Sequence, residues 1–155
     1  MQYEITRLSP DNLHLMDATL DCFSDVFDEP ETYSLKRPSR EYLAQLLSES
    51  SFICLAAVSG TDVLCALAAY ELRKFEQERS EIYIYDLAVK AQFRRQGIAT
   101  ALIEALKPIA QQQGSWIIYV QADYVDPPAI ALYSKLGNRE EVQHFDIPIT
   151  IVNSG

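Results

Sequence analysis

The run "FRRQGIATALIEAL" (Phe93–Leu106) sets two adjacent arginines, and then one of only five glycines, at the head of an apolar-periodic stretch. That arrangement suits an anion. The first backbone N–H groups of a helix have no internal partner, and the helix dipole makes that end partly positive. A phosphate accepts several of these hydrogen bonds together. Gly97 has no side chain to block the approach, Ala99 keeps the next contact small, and Arg94 and Arg95 add cationic arms. The pattern is Arg-x-x-Gly-x-Ala; neither the Gly-Lys-Ser/Thr of a P-loop nor a Gly-x-Gly-x-x-Gly fingerprint is present.

A second kind of chemistry comes from carboxylates. Asp86 interrupts the otherwise apolar "EIYIYDLAV" (Glu81–Val89), and burying a carboxylate is costly unless it is paired. In that position it can hold a substrate ammonium and take its proton, or serve as a hydrogen-bonded structural acid. Asp123, in "QADY", ends the next apolar run and is expected to face the same cleft, or to act as a turn or capping residue. The whole chain carries 22 Asp and Glu against 13 Lys and Arg, a net charge of −9. Such a balance attracts cations and opposes nucleic acid, so no nucleic-acid partner is expected; solubility alone is the plain alternative.

These groups need elements to position them. "YEITRL" alternates as a strand. "SPDNLHLMDATLDCFSDVF" follows as a helix, with Ser9 as N-cap and an apolar stripe of Leu13, Met16, Leu20, Phe23 and Phe27. A polar loop holds Asp28, Glu29 and Glu31, and Ser39 caps a second helix, "SREYLAQLLSES". "FICLAAV" and "VLCALAAYEL" flank the turn "SGTD" as a hairpin. Glu81–Val89 is apolar on both faces and reads as a central strand. The arginine-headed run starts the third helix, where Pro108 predicts a kink near Leu106–Pro108 or a restart. "SWIIYVQA" reads as a further buried strand, "PPAIALYSKLG" as a helix stopped by Gly137, and "EVQHFDIPI" as a closing strand. Strand, helix and strand from Glu81 to Ala122 form a βαβ crossover with parallel strands.

The order predicts a single α/β domain over residues 1–150, a central mixed sheet flanked by helices, and a tail at 151–155. A chain of 155 residues is long enough for a real core. It has no 18-residue apolar run, so no membrane partner is expected, and "MQYEITRLSPDN" shows no signal-peptide pattern. A cytoplasmic, reduced setting is the expectation. Cys22, Cys54 and Cys65 form no CxxC pair and read as buried free thiols, although Cys54 and Cys65 can face each other across the hairpin. With only His14 and His144 and no close Cys/His spacing, no metal site is expected. His144 reads as a strand side chain.

The strand "IYIYDLAV", then "RRQGIATALI", then "WIIYVQADYVDPPAIALYSKLG" resemble the GNAT superfamily of N-acetyltransferases. "EIYIYDLAV", "RRQGIATALI", "IYVQADY" and "REEVQHFDI" are more closely similar to type I aminoglycoside 3-N-acetyltransferases. The resemblance implies acetyl-coenzyme A as co-substrate. Its pyrophosphate would lie among Arg94, Arg95, Gln96, Gly97, Ile98, Ala99 and Thr100, beside Phe93. Its pantetheine arm would lie along the backbone of Leu87, Ala88 and Val89. It also implies cofactor contacts at Asp126, Ala129 and Tyr133, with Tyr133 matching the family tyrosine near the sulfur. A phenol can protonate a leaving thiolate. Asp126 departs from the family pattern, since many members carry Asn there, and that contact is in doubt.

The implied reaction is direct transfer of acetyl to the 3-amino group of a 2-deoxystreptamine antibiotic such as gentamicin, conferring resistance. Asp86, or else Asp123, would act as base. Asp28, Glu29, Asp86, Asp123, Glu140, Glu141 and Asp146 would bind the cationic acceptor. Family analogy suggests a homodimer. Two other readings keep the same fold: a GNAT enzyme for another amine, such as a polyamine or a protein N-terminus, and a non-catalytic acetyl-coenzyme A-binding regulatory module.

Overall fold

The continuous apolar runs between Phe52 and Val89 form three antiparallel strands, and the rest of the fold is built on them. In the computed structural model, which describes residues 2–29 and 36–150, the order is β1 (Glu4–Arg7), α1 (Leu13–Phe27), α2 (Arg40–Ser48), β2 (Phe52–Ser59), β3 (Asp62–Arg73), β4 (Ser80–Val89), α3 (Ile98–Gln112), β5 (Ser115–Val120) and α4 (Pro127–Leu136). Glu31 and the tail 151–155 lie outside the described residues. The chain divides into two compact units, Met1–Gln121 and Ala122–Gly155.

In the first unit the five strands stand in the order β1-β2-β3-β4-β5. The first three pairings are antiparallel. β4 and β5 are parallel, as the crossover through α3 requires. Local chemistry sets the helix starts. Ser9 and Asn12 form a reciprocal capping box over one 3-10 turn (Pro10–Asn12) that leads into α1, and the Ser39 hydroxyl accepts from the Tyr42 N–H at 3.2 Å.

The sheet is covered on both faces. One core cluster joins Leu15, Met16, Cys22 and Phe23 of α1 and Leu43 and Leu47 of α2 to Phe52, Cys54, Ala66, Ala68 and Ala88. Along the strands the alternate residues Ile53, Leu55, Leu67, Ile82 and Ile84 are also fully buried, which places them on the opposite face. There α3 contributes Ile98, Leu102, Ile103, Leu106 and Ala110. Burial of each such aliphatic side chain stabilises the fold by about 1.5–3 kcal/mol. α3 runs unbroken through Pro108, so the expected restart does not occur. Pro108 sits on the exposed side of the helix while the apolar stripe holds the other.

Three further expectations change. Cys54 pairs opposite Ala68 and Cys65 opposite Ala57, so the two thiols do not face each other. All three cysteines are free and buried, and burial pushes the thiols up, to about 11 for Cys22 and about 12 for Cys54. β5 is not a buried strand. It is the edge of the sheet, with Trp116 and Ile117 exposed; the Arg79 guanidinium lies 4.1 Å over the Trp116 ring. The third change belongs to the second unit. Asp126 caps α4 and Gly137 ends it, but residues 138–150 form no strand. A strand needs a pairing partner more than it needs propensity, and none lies within residues 122–150. Val142, Phe145, Ile147 and Ile149 are consequently exposed. No helix of the described residues is long and apolar enough to cross a membrane.

Candidate active site

The site is built around β4, whose two ends behave differently. At its start β4 is locked to β5. The Ser80 hydroxyl donates to Glu71 Oε2 at 2.6 Å and lies 2.6 Å from the Ser115 hydroxyl. Gln113 donates to Glu71 Oε1 at 2.9 Å. Pairing then runs from Ser80↔Ser115 to Ile84↔Val120 and stops there. β4 itself continues to Val89, paired with β3 alone among the described residues. On the β3 side the register shifts at the same point: Asp86 pairs with Ala68 and Ile84 with Ala69, so Tyr85 is one extra residue, a β-bulge. Along Leu87–Val89 no strand pairs with the other side of the backbone among the described residues. An extended amide chain can dock there as an added strand. Leu87, Ala88 and Val89 lie on this stretch, with Ala88 buried.

Beyond Val89 a short 3-10 turn (Ala91–Phe93) leads to the anion loop. Arg95 takes φ +63° and Gly97 φ +78°, both left-handed. That conformation costs a residue with a Cβ about 1–2 kcal/mol. A Cβ built on Gly97 meets no protein atom within 4 Å; within the protein, the demand for glycine comes from the backbone angle alone. Gly97 is the N-cap of α3, and no side chain caps the first turn. The first helical bond, Ala101 N–H to Gly97 C=O, measures 3.0 Å. The preceding N–H groups form the positive end of the helix. Ile98 is buried and anchors the turn, Ala99 and Thr100 are half-buried, and Arg94, Arg95 and Gln96 are exposed. The Gln96 amide reaches the Gln92 carbonyl at 3.3 Å. An open cleft of about 260 Å³ adjoins the loop, lined by Asp25, Val26, Lys90, Ala91, Gln92 and Arg94. These residues fit a pyrophosphate and an amide-bearing arm: backbone donors, two arginines and a strand edge with no partner strand among the described residues stand in sequence along one stretch of chain.

Asp86 is half-buried, one residue past the bulge. Its charge helps raise the Cys54 thiol and the Tyr70 and Tyr83 phenols, in each case after burial as the larger cause. Asp28 and Glu29 are exposed just after α1. The second unit places the other expected residues as follows. Asp123 is exposed and accepts from the Val125 N–H at 3.4 Å, in a turn rather than a strand. Asp126 accepts from the Ala129 N–H at 3.3 Å, so its carboxylate serves the helix cap; Ala129 is half-buried. Tyr133 is half-buried, and its carbonyl accepts from the Gly137 N–H at 3.0 Å. Glu140 is exposed. Glu141 pairs with Arg139 at 2.7 Å and Asp146 with His144 at 2.8 Å, so two of the expected acceptor carboxylates already hold cationic or polar partners.

One group was not anticipated. Tyr70, Tyr83 and Tyr119 stand in register across β3, β4 and β5, and Tyr85 of the bulge contacts both Tyr70 and Tyr83. The spacing Tyr-x-Tyr before Asp86 is the signal the sequence offers; in a strand apolar on both faces, Tyr83 and Tyr85 read as apolar residues.

Residues 13–137 match the acetyltransferase (GNAT) family. The chain belongs to this family. Its single GNAT domain is the α/β fold expected, with a five-stranded mixed sheet and four α-helices among the described residues. Among solved structures, the chain is 54% identical to an aminoglycoside acetyltransferase, HMB0005, from an uncultured soil metagenomic sample, with TM-score 0.94 over 97% of this chain and 100% of that one. It is 30% identical to another, meta-AAC0020, solved in complex with sisomicin, with TM-score 0.87 over 96% and 97% of the two chains. Among curated proteins it is 29% identical to rat N-acetyltransferase 8B over 57% of this chain. The match spans about two fifths of that relative, 40% of its length.

Proposed function

We propose that this GNAT protein transfers acetyl from acetyl-coenzyme A to the 3-amino group of a 2-deoxystreptamine aminoglycoside of the gentamicin type, and thereby confers resistance. The observation that carries the reading is the 54% identity over 97% of the chain to an aminoglycoside acetyltransferase. A complex of a 30% identical relative with sisomicin supports the same acceptor class. Attack at the 3-amino position rests on the likeness of "EIYIYDLAV", "RRQGIATALI" and "REEVQHFDI" to the type I enzymes.

The co-substrate supplies an activated acetyl thioester. The chain's residues supply binding, orientation and proton transfer. The N–H groups at the head of α3, with Arg94 and Arg95, hold the pyrophosphate. The free edge of β4 from Leu87 to Val89 aligns the amide-bearing arm, and its N–H groups stabilise negative charge on the carbonyl oxygen. Asp86 holds the acceptor ammonium and takes its proton, directly or through water, freeing the lone pair that attacks the carbonyl carbon. Tyr133 gives the departing sulfur a proton. Fixing both reactants supplies the proximity that a bimolecular acyl transfer lacks in water.

The test is coenzyme A release with acetyl-coenzyme A and gentamicin, kanamycin, spermidine or a peptide amine, followed by NMR mapping of the product. Turnover confined to aminoglycosides, with acetyl on the 3-amino group, is expected. Acetyl at another amino group overturns the position and keeps the class. A second reading, acetylation of a protein N-terminus, draws on 37% identity over 59 residues to an N-alpha-acetyltransferase of Sulfurisphaera tokodaii. Turnover on the peptide alone would select it.

A further inference from the structure

A line of aromatic rings crosses the α1/α2 side of the sheet beyond the two helices. Phe52 of β2, itself buried, contacts Tyr70 at 5.3 Å between ring centroids. Tyr70 meets Tyr85 edge-on at 6.1 Å, Tyr85 meets Tyr83 at 5.5 Å, and Tyr83 stacks on Tyr119 at 4.7 Å with the planes 5° apart. The line begins in the core and ends in solvent. Tyr70 is 39% exposed and Tyr85 64% exposed. The bulge creates this geometry. Residues 83 and 86 are three apart, a spacing that a regular strand would put on opposite faces. The extra residue at 85 brings Tyr83 to the face of Asp86 and lifts the Tyr85 ring out over it.

We propose that this tyrosine line is the platform on which the acceptor's amino-sugar ring is laid, with Tyr85 and Tyr70 as its specificity-determining residues. The inference rests on the acceptor reading given above and assigns residues to it. Two observations select a cationic sugar as the occupant, beyond the attraction of about 0.5–2 kcal/mol that an exposed aromatic face holds for an ammonium. The Asp86 carboxylate lies close enough to Tyr70 and Tyr83 to bias their ionisation, so a cation resting there meets negative charge from two sources. Lys74, whose charge acts on Tyr119 at the β5 end of the line, is paired with Glu76 and Glu81 at 3.7 and 3.5 Å. An amino sugar also offers C–H faces to the rings and hydroxyls to the phenols, which both donate and accept. Burial raises Tyr70, Tyr83 and Tyr119 above the usual phenol value, so these three remain neutral at physiological pH.

The decisive experiment is steady-state kinetics of Tyr85→Ala and Tyr85→Phe with gentamicin. Tyr85 is exposed, so its truncation leaves the core intact, which circular dichroism checks. Tyr85→Ala should raise the acceptor KM about tenfold and leave the acetyl-coenzyme A KM within about twofold. Tyr85→Phe, which keeps the ring, should stay close to the parent. An unchanged acceptor KM in Tyr85→Ala overturns the platform. Failure of the parent reading is separable. If the unaltered protein turns over no aminoglycoside, tyrosine ring resonances titrated with gentamicin decide the matter. Shifts at Tyr70 and Tyr85 that trehalose does not reproduce support a cationic-sugar site; absence of shifts, or equal shifts with trehalose, overturns it. A Tyr85→Ala change that abolishes a dimer seen by sedimentation, with no effect on gentamicin, overturns it in favour of a second copy as occupant.

Discussion

β4 does two jobs in ten residues, and its halves do them by different means. From Ser80 to Ile84 the strand is hydrogen-bonded on both sides, so its backbone is spent and only side chains are available for recognition. There the sequence supplies Tyr83 on one face and Ile82 and Ile84 to the core on the other. From Tyr85 to Val89 one side of the backbone has no partner strand among the described residues. There main-chain groups become available for recognition beside the side chains of Tyr85 and Asp86. The difference teaches where mutation can retune this protein. On the proposed reading, acceptor choice rests on side chains, which can drift, and grip on the acyl donor rests on backbone geometry, which a side-chain change alters less.

Asp86 stands at the junction and gives the largest expected effect. If Asp86 is the base proposed above, Asp86→Asn keeps the shape and removes it, so kcat should fall about 10²–10⁴-fold, with the acetyl-coenzyme A KM little changed. A kcat within about threefold of the parent would remove Asp86 from proton transfer and leave it as a structural acid.

Gly97→Ala probes the backbone half. It forces a Cβ into φ +78°, at about 1–2 kcal/mol, and obstructs the helix end. The acetyl-coenzyme A KM should rise about tenfold while the gentamicin KM holds. Gly97→Asn, whose side chain tolerates the left-handed region, should lose less stability in thermal melts. A change in both KM values together would mean that the two halves are not independent.

The smallest effect is expected from the side-chain half under alkali. Tyr70, Tyr83 and Tyr119 have folded values above the usual phenol value. Their contribution to stability is therefore complete below about pH 10 and is lost as pH rises through the higher folded values. Urea unfolding should show constant stability from these groups through neutral pH and a decline only in strong alkali. Phenolate absorbance should lag behind that of the unfolded chain. Coincident titration of folded and unfolded chains would show that the tyrosines are solvated and the line is open.

Much of the fold was legible because its signals are local. Ser9 and Ser39 announce helices within one turn, and the apolar runs from Phe52 to Val89 are long enough to admit no other reading. The anion loop was legible too, since glycine and arginine carry their chemistry in their identity. What escaped depends on neighbours. The parting of β4 from β5 after Ile84 and the extra residue at Tyr85 are matters of register, fixed by strands distant in sequence. The tyrosines looked apolar because a hydropathy pattern does not say which face a helix leaves bare. "EVQHFDIPI" has the alternation of a strand and no partner within its own unit, so alternation alone misled. A proline removes a helical hydrogen bond, yet α3 continues through Pro108 with the stripe of Ile98, Leu102 and Leu106 buried.

The bulge at Tyr85 has a consequence for evolution in the laboratory. The pairs on either side of it, Ala68↔Asp86 and Ala69↔Ile84, are consecutive on β3, so a β4 one residue shorter would complete a regular ladder with every side chain still on its own face. The defect is one that the sheet has no need of. Selection for thermal stability alone will find the shorter strand attractive; selection for turnover will not. A screen that watches only melting temperature is thus poised to erase the feature that parts the two halves of this strand.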